Sequence, residues 1–399
     1  MPQPLNRYKA DLREIKFVLF EQLKLGELLE GRYGDWDEET TSTVIDEVYR
    51  FACEVSGPYS AVGDHEGCRL ENGDVKTPTG FKAAWEKLYA AGWKSLSVPD
   101  EFGGQGAPRV IAAAVEEFLS GSNTAWNMYP GLTVGAAEVI AHFGTDRQKK
   151  LFAGRMFAGE YAGTMCLSEP HAGSDVGAAY HSSQIDLLTP LVKAYSSDQA
   201  FRVCETAIQV FGGSGYTRDY PVEQYARDSK VFSIYEGTNH IQSLDLVARK
   251  LGQNGGAGTQ AFFGDIAKFC GAHEKHPVLG AAVAELSAAQ EAVAGTAMHF
   301  LMWFQSGQMQ RVPLVANRFL EMMSELAIGW LLLEGASIAC EQSEKLGPDH
   351  ADANFYAGKK AAAIFFARNV LPNVVNGARI INAGDTSPID IPDAAFAQL

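Results

Sequence analysis

The stretch 231-VFSIYEGTNHIQSLDLVARKL-251 runs from an apolar segment through a carboxylate and a Gly-Thr pair into a helical pattern. Thr238 and Asn239 are both good N-cap residues, and Gln242 lies three positions after Asn239, as in a capping box. The helix itself is predicted by apolar residues spaced along one face, at Ile241, Leu244, Ala248 and Leu251. This segment therefore predicts a turn followed by a helix, in a chain dominated by such helices.

Glu236 stands just outside that helix start and has two interpretations. As a capping acid it would more naturally lie in the first helical turn. Its apolar neighbours, from Val231 to Tyr235, instead favour a carboxylate that is withdrawn from water, which would raise its pKa toward that of a general base. Position alone leaves both interpretations open.

A second informative segment, 209-QVFGGSGYTRDYPVEQYARDSKVF-232, contains three closely spaced glycines. They do not form the GxGxxG pattern, and they follow a helix rather than a strand, which excludes a Rossmann fingerprint. The glycines could simply end the preceding helix. Gly212 and Gly213 could equally let a ligand approach bare backbone, with the Gln209 amide offered to a heterocycle or a phosphate.

The third segment, 166-CLSEPHAGSDVG-177, follows a short strand-like piece and reads as a Pro/Gly/Ser loop. Ser168, Ser174 and nearby backbone N–H groups could hydrogen-bond a polar ring or a phosphate. An ordinary turn stabilised by Ser and Asp side chains explains the same residues.

The composition limits the possible functions. The chain has 399 residues, 46% of them hydrophobic, and a formal net charge of -15, which disfavours nucleic-acid binding. Six cysteines without CxxC pairs predict free thiols, and no histidine spacing predicts a metal site. The apolar run 327–339 contains Glu334 and is too short to span a bilayer, so we expect a cytoplasmic protein without membrane insertion.

Helical periodicity extends over most of the chain, so the predicted fold class is mainly α. Residues 1–163 read as an all-helical N-terminal domain, and residues 164–179 as a non-helical segment. Residues 180–251 form a second helical segment that carries Glu236. Residues 252–260 predict a flexible linker at the start of a helical C-terminal extension over 252–399.

The three segments, in this order, resemble the acyl-CoA dehydrogenase family. That family carries C-x-[TS]-E-P-x-x-G-S-D, Q-x-x-G-G-x-G-Y and I-Y-E-G-T-x-x-I-Q, which here read Cys166–Asp175, Gln209–Tyr216 and Ile234–Gln242. The loop 98-VPDEFGGQG-106 is similar to a fourth family motif, V-P-E-x-x-G-G-x-G. The N-terminus and the extension after Leu251 look like the large bacterial subgroup of long-chain and 3-methylmercaptopropionyl-CoA dehydrogenases.

The resemblance implies FAD as cofactor and α,β-desaturation of an acyl-CoA thioester, with Glu236 as the base that removes the α-proton and flavin N5 as the hydride acceptor. It implies a substrate site at Ser174, Tyr235, Glu236 and Gly237. It implies flavin contacts at Met165, Leu167, Ser168, Ser174, Gln209, Gly212, Gly213, Gly237 and Thr238. Electron-transferring flavoprotein as electron acceptor and a homodimer are further implications.

One departure from the family pattern is large. In the family, the Gly-Ser-Asp loop opens a β-rich middle domain, whereas residues 173–179 here run directly into helical sequence. We therefore expect an N-terminal helical domain and a C-terminal helical bundle with only a remnant of the middle β domain. Two alternatives to the dehydrogenase stay open: a truncated, catalytically impaired helical member with a structural role, and an acyl-CoA oxidase.

Overall fold

The computed structural model describes residues 4–34, 36–164 and 183–395. Most of these residues are helical, which confirms the mainly α prediction. In chain order the α-helices are α1 (Leu12–Lys16), α2 (Leu25–Leu29), α3 (Glu38–Phe51), α4 (Ser60–Glu66), α5 (Phe81–Ala90), α6 (Arg109–Ser122), α7 (Thr124–Phe143), α8 (Asp146–Gln148), α9 (Gly154–Phe157), α10 (Ser183–Phe211), α11 (Val222–Lys230), α12 (Asn239–Asp245), α13 (Gln253–His273), α14 (Gly280–Gln305), α15 (Arg311–Leu346), α16 (Ala353–Asn369) and α17 (Leu371–Asn382).

Several helices continue into or are joined by other helical turns. Wider π-helical turns extend them at Phe17–Gln22, Ala52–Ser56, Lys149–Ala153 and Leu246–Lys250. Tighter 3₁₀ turns occur at Gly57–Tyr59, Asp100–Phe102, Gly212–Tyr216, Val231–Ser233 and Asp393–Ala395.

The described residues divide into two compact units. The first joins the residues before 165 to residues 206–228, and the second joins residues 183–205 to the residues from 229 onward. Helix α10 therefore begins in the second unit and ends in the first. The domain boundaries predicted at residues 163, 179 and 251 stay predictions.

In the first unit, N-cap residues in the sequence determine where some of the helices begin. Helix α3 begins because the Asp37 side chain accepts a hydrogen bond from the Thr40 N–H at 2.7 Å, and α7 begins with Asn123 in the same role. Ile45 and Val48 then lie one turn apart and are fully buried. They belong to a core that also includes the buried aromatic residues Phe81, Phe118 and Trp126.

A β-hairpin interrupts this unit and corrects the all-helical prediction for residues 1–163. Strands β1 (Arg69–Glu71) and β2 (Asp74–Lys76) pair antiparallel. The turn between them places Asn72 at φ +54° and Gly73 at φ +87°, the pair of left-handed residues that a two-residue hairpin turn requires. These are the two strands of the described residues, so the fold keeps little β structure.

The second unit is a bundle of long helices around one large core. Helix α15 is its centre, with Phe319, Met323 and Leu326 fully buried on one side and Leu333 and Ala336 further along.

The linker predicted at 252–260 is instead the start of α13. Helical structure there includes a kink in which Asn254, Gly255 and Gly256 are left-handed, a conformation that glycine adopts at little cost.

Helix α15 is also long and apolar enough, among the described helices, to cross a membrane. However, 61% of its most apolar window is buried inside the protein. This is the pattern of a core helix, as the sequence predicted for residues 327–339.

Candidate functional site

The Glu236 turn connects the 3₁₀ turn Val231–Ser233 to helix α12. Thr238 is the N-cap of α12, since its side chain accepts a hydrogen bond from the Ile241 N–H at 3.4 Å. Asn239, the other predicted cap, points its side chain toward α10 instead. Gln242 does not complete a capping box with Asn239, because its Nε2 donates to the Glu236 carbonyl at 3.4 Å.

Two consecutive residues of this turn are left-handed. Glu236 has φ +53° and Gly237 has φ +83°. A residue with a β-carbon pays roughly 1–2 kcal/mol for this conformation, and such outliers concentrate at functional sites. Gly237 has a second reason to be glycine, because a β-carbon there would lie 2.8 Å from Gln242 Nε2. Glu236 is thus one of four described non-glycine residues that carry this strain.

The Glu236 carboxyl is exposed in this chain. The sequence suggested that its apolar neighbours would withdraw it from water, but Ile234 is itself 56% exposed. Phe232 and Tyr235 stack on one another, with ring centroids 5.9 Å apart, and do not cover the carboxyl. The described residues alone thus leave the candidate base open to solvent.

The backbone of the turn offers free donors. Within the described ranges, the Glu236 N–H and the Gly237 N–H donate to no acceptor. Adjacent N–H groups without internal partners can bind an oxyanion. The candidate base and these donors belong to the same two residues. The turn can therefore donate a hydrogen bond to a carbonyl oxygen while its carboxylate takes a proton from the adjacent carbon.

The glycine segment lies in the first unit. Helix α10 ends at Phe211, and Gly212 follows at φ +61°, which is the helix-ending glycine that the sequence offered as one interpretation. Gly215 is buried, and a β-carbon there would lie 2.7 Å from the Ile208 carbonyl. Gly213 has neither a left-handed backbone nor a close neighbour, so its bare backbone is exposed, as is Gln209.

The predicted site residues thus fall into three groups. Tyr235, Glu236, Gly237 and Thr238 form one turn of the second unit, and Gln209, Gly212 and Gly213 lie in the first unit. The remaining predicted residues, Met165, Leu167, Ser168 and Ser174, lie outside the described residues.

Lys193, which the structure places beside the Glu236 turn, is not among the site residues predicted from the sequence. Its Nζ donates to the Gly237 carbonyl at 2.5 Å from helix α10. The only signal was a lysine on the same helical pattern as buried Leu191 and Ala194. Such a lysine is typical of a side chain that reaches past a core rather than into solvent.

A cavity of about 320 Å³ lies between α10, α12 and α15, and its lining includes Asp198, Arg202, Asn239 and Glu321. Arg202 pairs with Glu321 at 3.2 Å between α10 and α15. Burial raises the pKa of the neighbouring Glu325 to about 7, and the Glu321 carboxylate adds to the shift while Arg202 opposes it.

Three family models match consecutive parts of the chain. The acyl-CoA dehydrogenase N-terminal domain matches residues 38–160, and the acyl-CoA dehydrogenase C-terminal domain matches residues 175–252. The acetyl-CoA dehydrogenase C-terminal-like model matches residues 262–392. The chain belongs to the acyl-CoA dehydrogenase family. Because the first two models leave only residues 161–174 between them, this member keeps at most a remnant of a middle β domain.

Curated acyl-CoA dehydrogenases are similar to this family member over part of their length. The 3-methylmercaptopropionyl-CoA dehydrogenase of Ruegeria pomeroyi is 37% identical over 42% of this chain and 29% of the relative. A butyryl-CoA dehydrogenase of Syntrophomonas wolfei is 37% identical over 54% of this chain and 35% of the relative. A broad-specificity linear acyl-CoA dehydrogenase of Mycobacterium tuberculosis is 35% identical over 53% and 35%. The matched segments span about a third of these relatives.

A solved structure shares the fold. The acyl-CoA dehydrogenase of Bacillus anthracis, complexed with FAD, superposes with a TM-score of 0.61 over 90% of each chain. Its sequence identity is 12%, so the similarity concerns the fold alone.

Proposed function

We propose that this acyl-CoA dehydrogenase family member binds FAD and catalyses α,β-desaturation of an acyl-CoA thioester, with Glu236 as the α-proton base. The observation that carries the proposal is the Glu236 turn. It combines a carboxylate, a left-handed backbone and two N–H groups that have no acceptor among the described residues, all within two residues. Strained backbone of this kind clusters at functional sites.

The residues of the turn have complementary roles in this proposal. The Glu236 carboxylate takes the proton from the α-carbon of the thioester. The Glu236 N–H holds the thioester carbonyl and stabilises the enolate-like charge that develops on its oxygen. Tyr235 and Gly237 border the acyl chain. Bound FAD would supply the acceptor for the β-hydride.

The proposal assigns flavin contacts to described residues in each of the two units. In the second unit, Gly237 and Thr238 would border the flavin beside the base. In the first unit, Gln209, Gly212 and Gly213 would contact the adenosine half. Gly213 supports this assignment because no contact among the described residues explains a glycine there, and a ligand can approach its exposed backbone closely. By the family motif, Met165, Leu167, Ser168 and Ser174 would complete the cofactor and substrate contacts.

The family relationship also supports the proposed partners. Electrons from the reduced cofactor would pass to electron-transferring flavoprotein in a cytoplasmic homodimer. If molecular oxygen took them instead, the enzyme would be an acyl-CoA oxidase. Rapid peroxide formation in air would indicate the oxidase, and rapid reduction of electron-transferring flavoprotein without peroxide would indicate the dehydrogenase.

A second candidate is a flavin-free helical member with a structural role. The exposed Glu236 carboxyl and the short interval between the N-terminal and C-terminal models favour it, because both reduce the enclosure of a flavin. The absorption spectrum of the purified protein decides between the candidates. We expect a flavin band that bleaches when an acyl-CoA is added; colourless protein that FAD does not reconstitute supports the second candidate.

The base itself is tested by Glu236→Gln. The amide keeps the size of the side chain but cannot take a proton, so turnover should fall by roughly 10²–10⁴-fold while the flavin band remains. Steady-state kinetics with an acyl-CoA and an artificial electron acceptor measure this. Glu341→Gln, at an exposed position of α15, is the matched control and should keep normal turnover. Near-normal turnover of Glu236→Gln would refute the assigned role.

A further inference from the structure

The Glu236 turn is tied to helix α10 by side chains that the proposed reaction does not otherwise use. We propose that Lys193 and Asn239 are positioning residues that hold the Glu236–Gly237 backbone in its left-handed conformation and so aim the base. The proposal deepens the proposed function and rests on the role of Glu236 in it.

Lys193 makes the direct connection. Its Nζ donates to the Gly237 carbonyl at 2.5 Å and to Asn239 Oδ1 at 2.9 Å. Hydrogen bonds from a charged donor are about twice as strong as neutral ones. Because the Gly237 carbonyl follows directly on the two left-handed residues, fixing it restricts the rotation of the peptide units on which the Glu236 side chain depends.

Asn239 makes the second connection. Its Nδ2 donates to the Ala194 carbonyl at 3.1 Å and to Asp198 Oδ1 at 2.8 Å, both on helix α10. The buried Ser197 hydroxyl lies 2.9 Å from the same Nδ2. Asn239 is the first residue of α12, so these bonds fix the position at which α12 starts relative to α10.

The electrostatic surroundings of Lys193 are consistent with a specific contact between its ammonium group and the turn. Burial lowers the pKa of Lys193, whereas the Glu236 and Asp198 carboxylates act to raise it. The ammonium group is thus partly withdrawn from water, and it feels the charge of one carboxylate of the turn and of one carboxylate of α10. Removing the partners of such a partly buried lysine costs more free energy of folding than removing those of a surface lysine, because the charge is then left unsatisfied.

Hydrogen exchange measured by mass spectrometry tests, without any cofactor, whether Lys193 and Asn239 fix the Glu236 turn to α10. We expect the hydrogen-bonded amides at the start of α12, residues 241–245, to exchange about tenfold or more faster in Lys193→Met, because the lost bonds involve a charged donor and fix the point at which α12 begins. Asn239→Ala should have a similar effect. Lys193→Arg, which can still donate, should restore part of the protection.

Lys360→Met is the matched control. Lys360 Nζ also donates a hydrogen bond within the second unit, to Ser343 Oγ at 3.0 Å, but far along the chain from the turn. It should leave the exchange of residues 241–245 unchanged even if it lowers the melting temperature. Equal exchange of these residues in Lys193→Met and Lys360→Met would overturn the proposal, whatever the flavin spectrum shows.

Kinetics then separate positioning from mere folding. With flavin bound, Lys193→Met should lower kcat by roughly tenfold to a hundredfold with a smaller change in KM, since a misplaced base slows the chemical step. Loosened exchange with a kcat equal to that of Lys360→Met would refute the positioning role. A wild-type protein without turnover would refute the proposed function, while the exchange result stands on its own.

Discussion

At the scale of single residues, the left-handed pair Glu236–Gly237 is the feature on which the site depends. The pair turns the chain sharply between Tyr235 and the N-cap Thr238, so that the carboxylate and two N–H groups without an acceptor among the described residues belong to adjacent residues. Gln242 closes the turn from the first turn of α12 through its hydrogen bond to the Glu236 carbonyl. The local geometry therefore requires a glycine at 237 and tolerates a strained residue at 236.

Gly237→Ala tests this requirement. The new β-carbon would meet Gln242 Nε2 and adopt an unfavourable backbone conformation, so the free energy of unfolding should fall by about 1–2 kcal/mol. Urea denaturation measures the change. Gly264→Ala is the matched control, because that exposed glycine lies inside α13 with open space around it. Alanine there should stabilise the protein by roughly 0.5–1 kcal/mol; a loss at both positions would contradict the argument.

Sequence patterns predicted the turn and its helix but not the conformation of Glu236. Thr238 and the apolar face of α12 are local signals, and they placed the helix start correctly. A glutamate has no preference for a left-handed backbone, so its φ angle follows from the surrounding contacts instead. The contact of Lys193 with Gly237 joins residues 44 positions apart, and no local pattern encodes it.

At the scale of helices and strands, local sequence signals decide where elements begin and end. The Asn72-Gly73 pair flanked by Leu70 and Val75 is a strong hairpin signal, although the helical periodicity around it led to an all-helical prediction. The glycines at 255 and 256 indicated a break that turned out to be a kink at the start of α13, because left-handed glycines can be accommodated next to a helix.

The packing of α15 against α10 predicts a pH-dependent stability. Burial holds the pKa of Glu325 at about 7 in the folded protein, above its ordinary value of 4.5. The folded state therefore favours the protonated carboxyl. The stability that this provides is fully present below about pH 4.5 and is lost as the pH rises to about 7.

Glu325→Gln should remove this dependence. The amide stays neutral at every pH, so the melting temperature at pH 8 should rise by roughly 2–6 °C, with little change at pH 5. Calorimetry at the two pH values measures the difference. Glu341→Gln on the exposed side of α15 serves as control. An equal shift at both pH values would show that Glu325 does not titrate as proposed.

At the scale of the whole molecule, the fold class followed from the sequence because helical periodicity covers most of the chain. The grouping of residues 206–228 with the N-terminal unit did not follow. It depends on contacts such as the bidentate pair between Arg227 and Asp64 at 2.8 Å, which are separated by 163 positions. Contacts at such separation are set by packing and leave no periodic trace.

The net charge of -15 has a measurable consequence at this scale. Like charges on a compact chain repel one another, and the Debye length falls from about 30 Å to about 8 Å when salt rises from about 0.01 to 0.15 M. The melting temperature should therefore rise over this range of sodium chloride. A fall would mean that attractive ion pairs, such as Arg227 with Asp64, outweigh the general repulsion.

The left-handed backbone at Glu236 also has an evolutionary consequence. A glutamate codon becomes a glycine codon by one nucleotide change, and glycine would adopt φ +53° without the strain that glutamate carries. For a chain released from selection for chemistry, losing this carboxylate would thus be a downhill step in folding free energy. Drift would then be expected to remove the residue, so a glutamate at this position is what the proposed use of its carboxylate predicts.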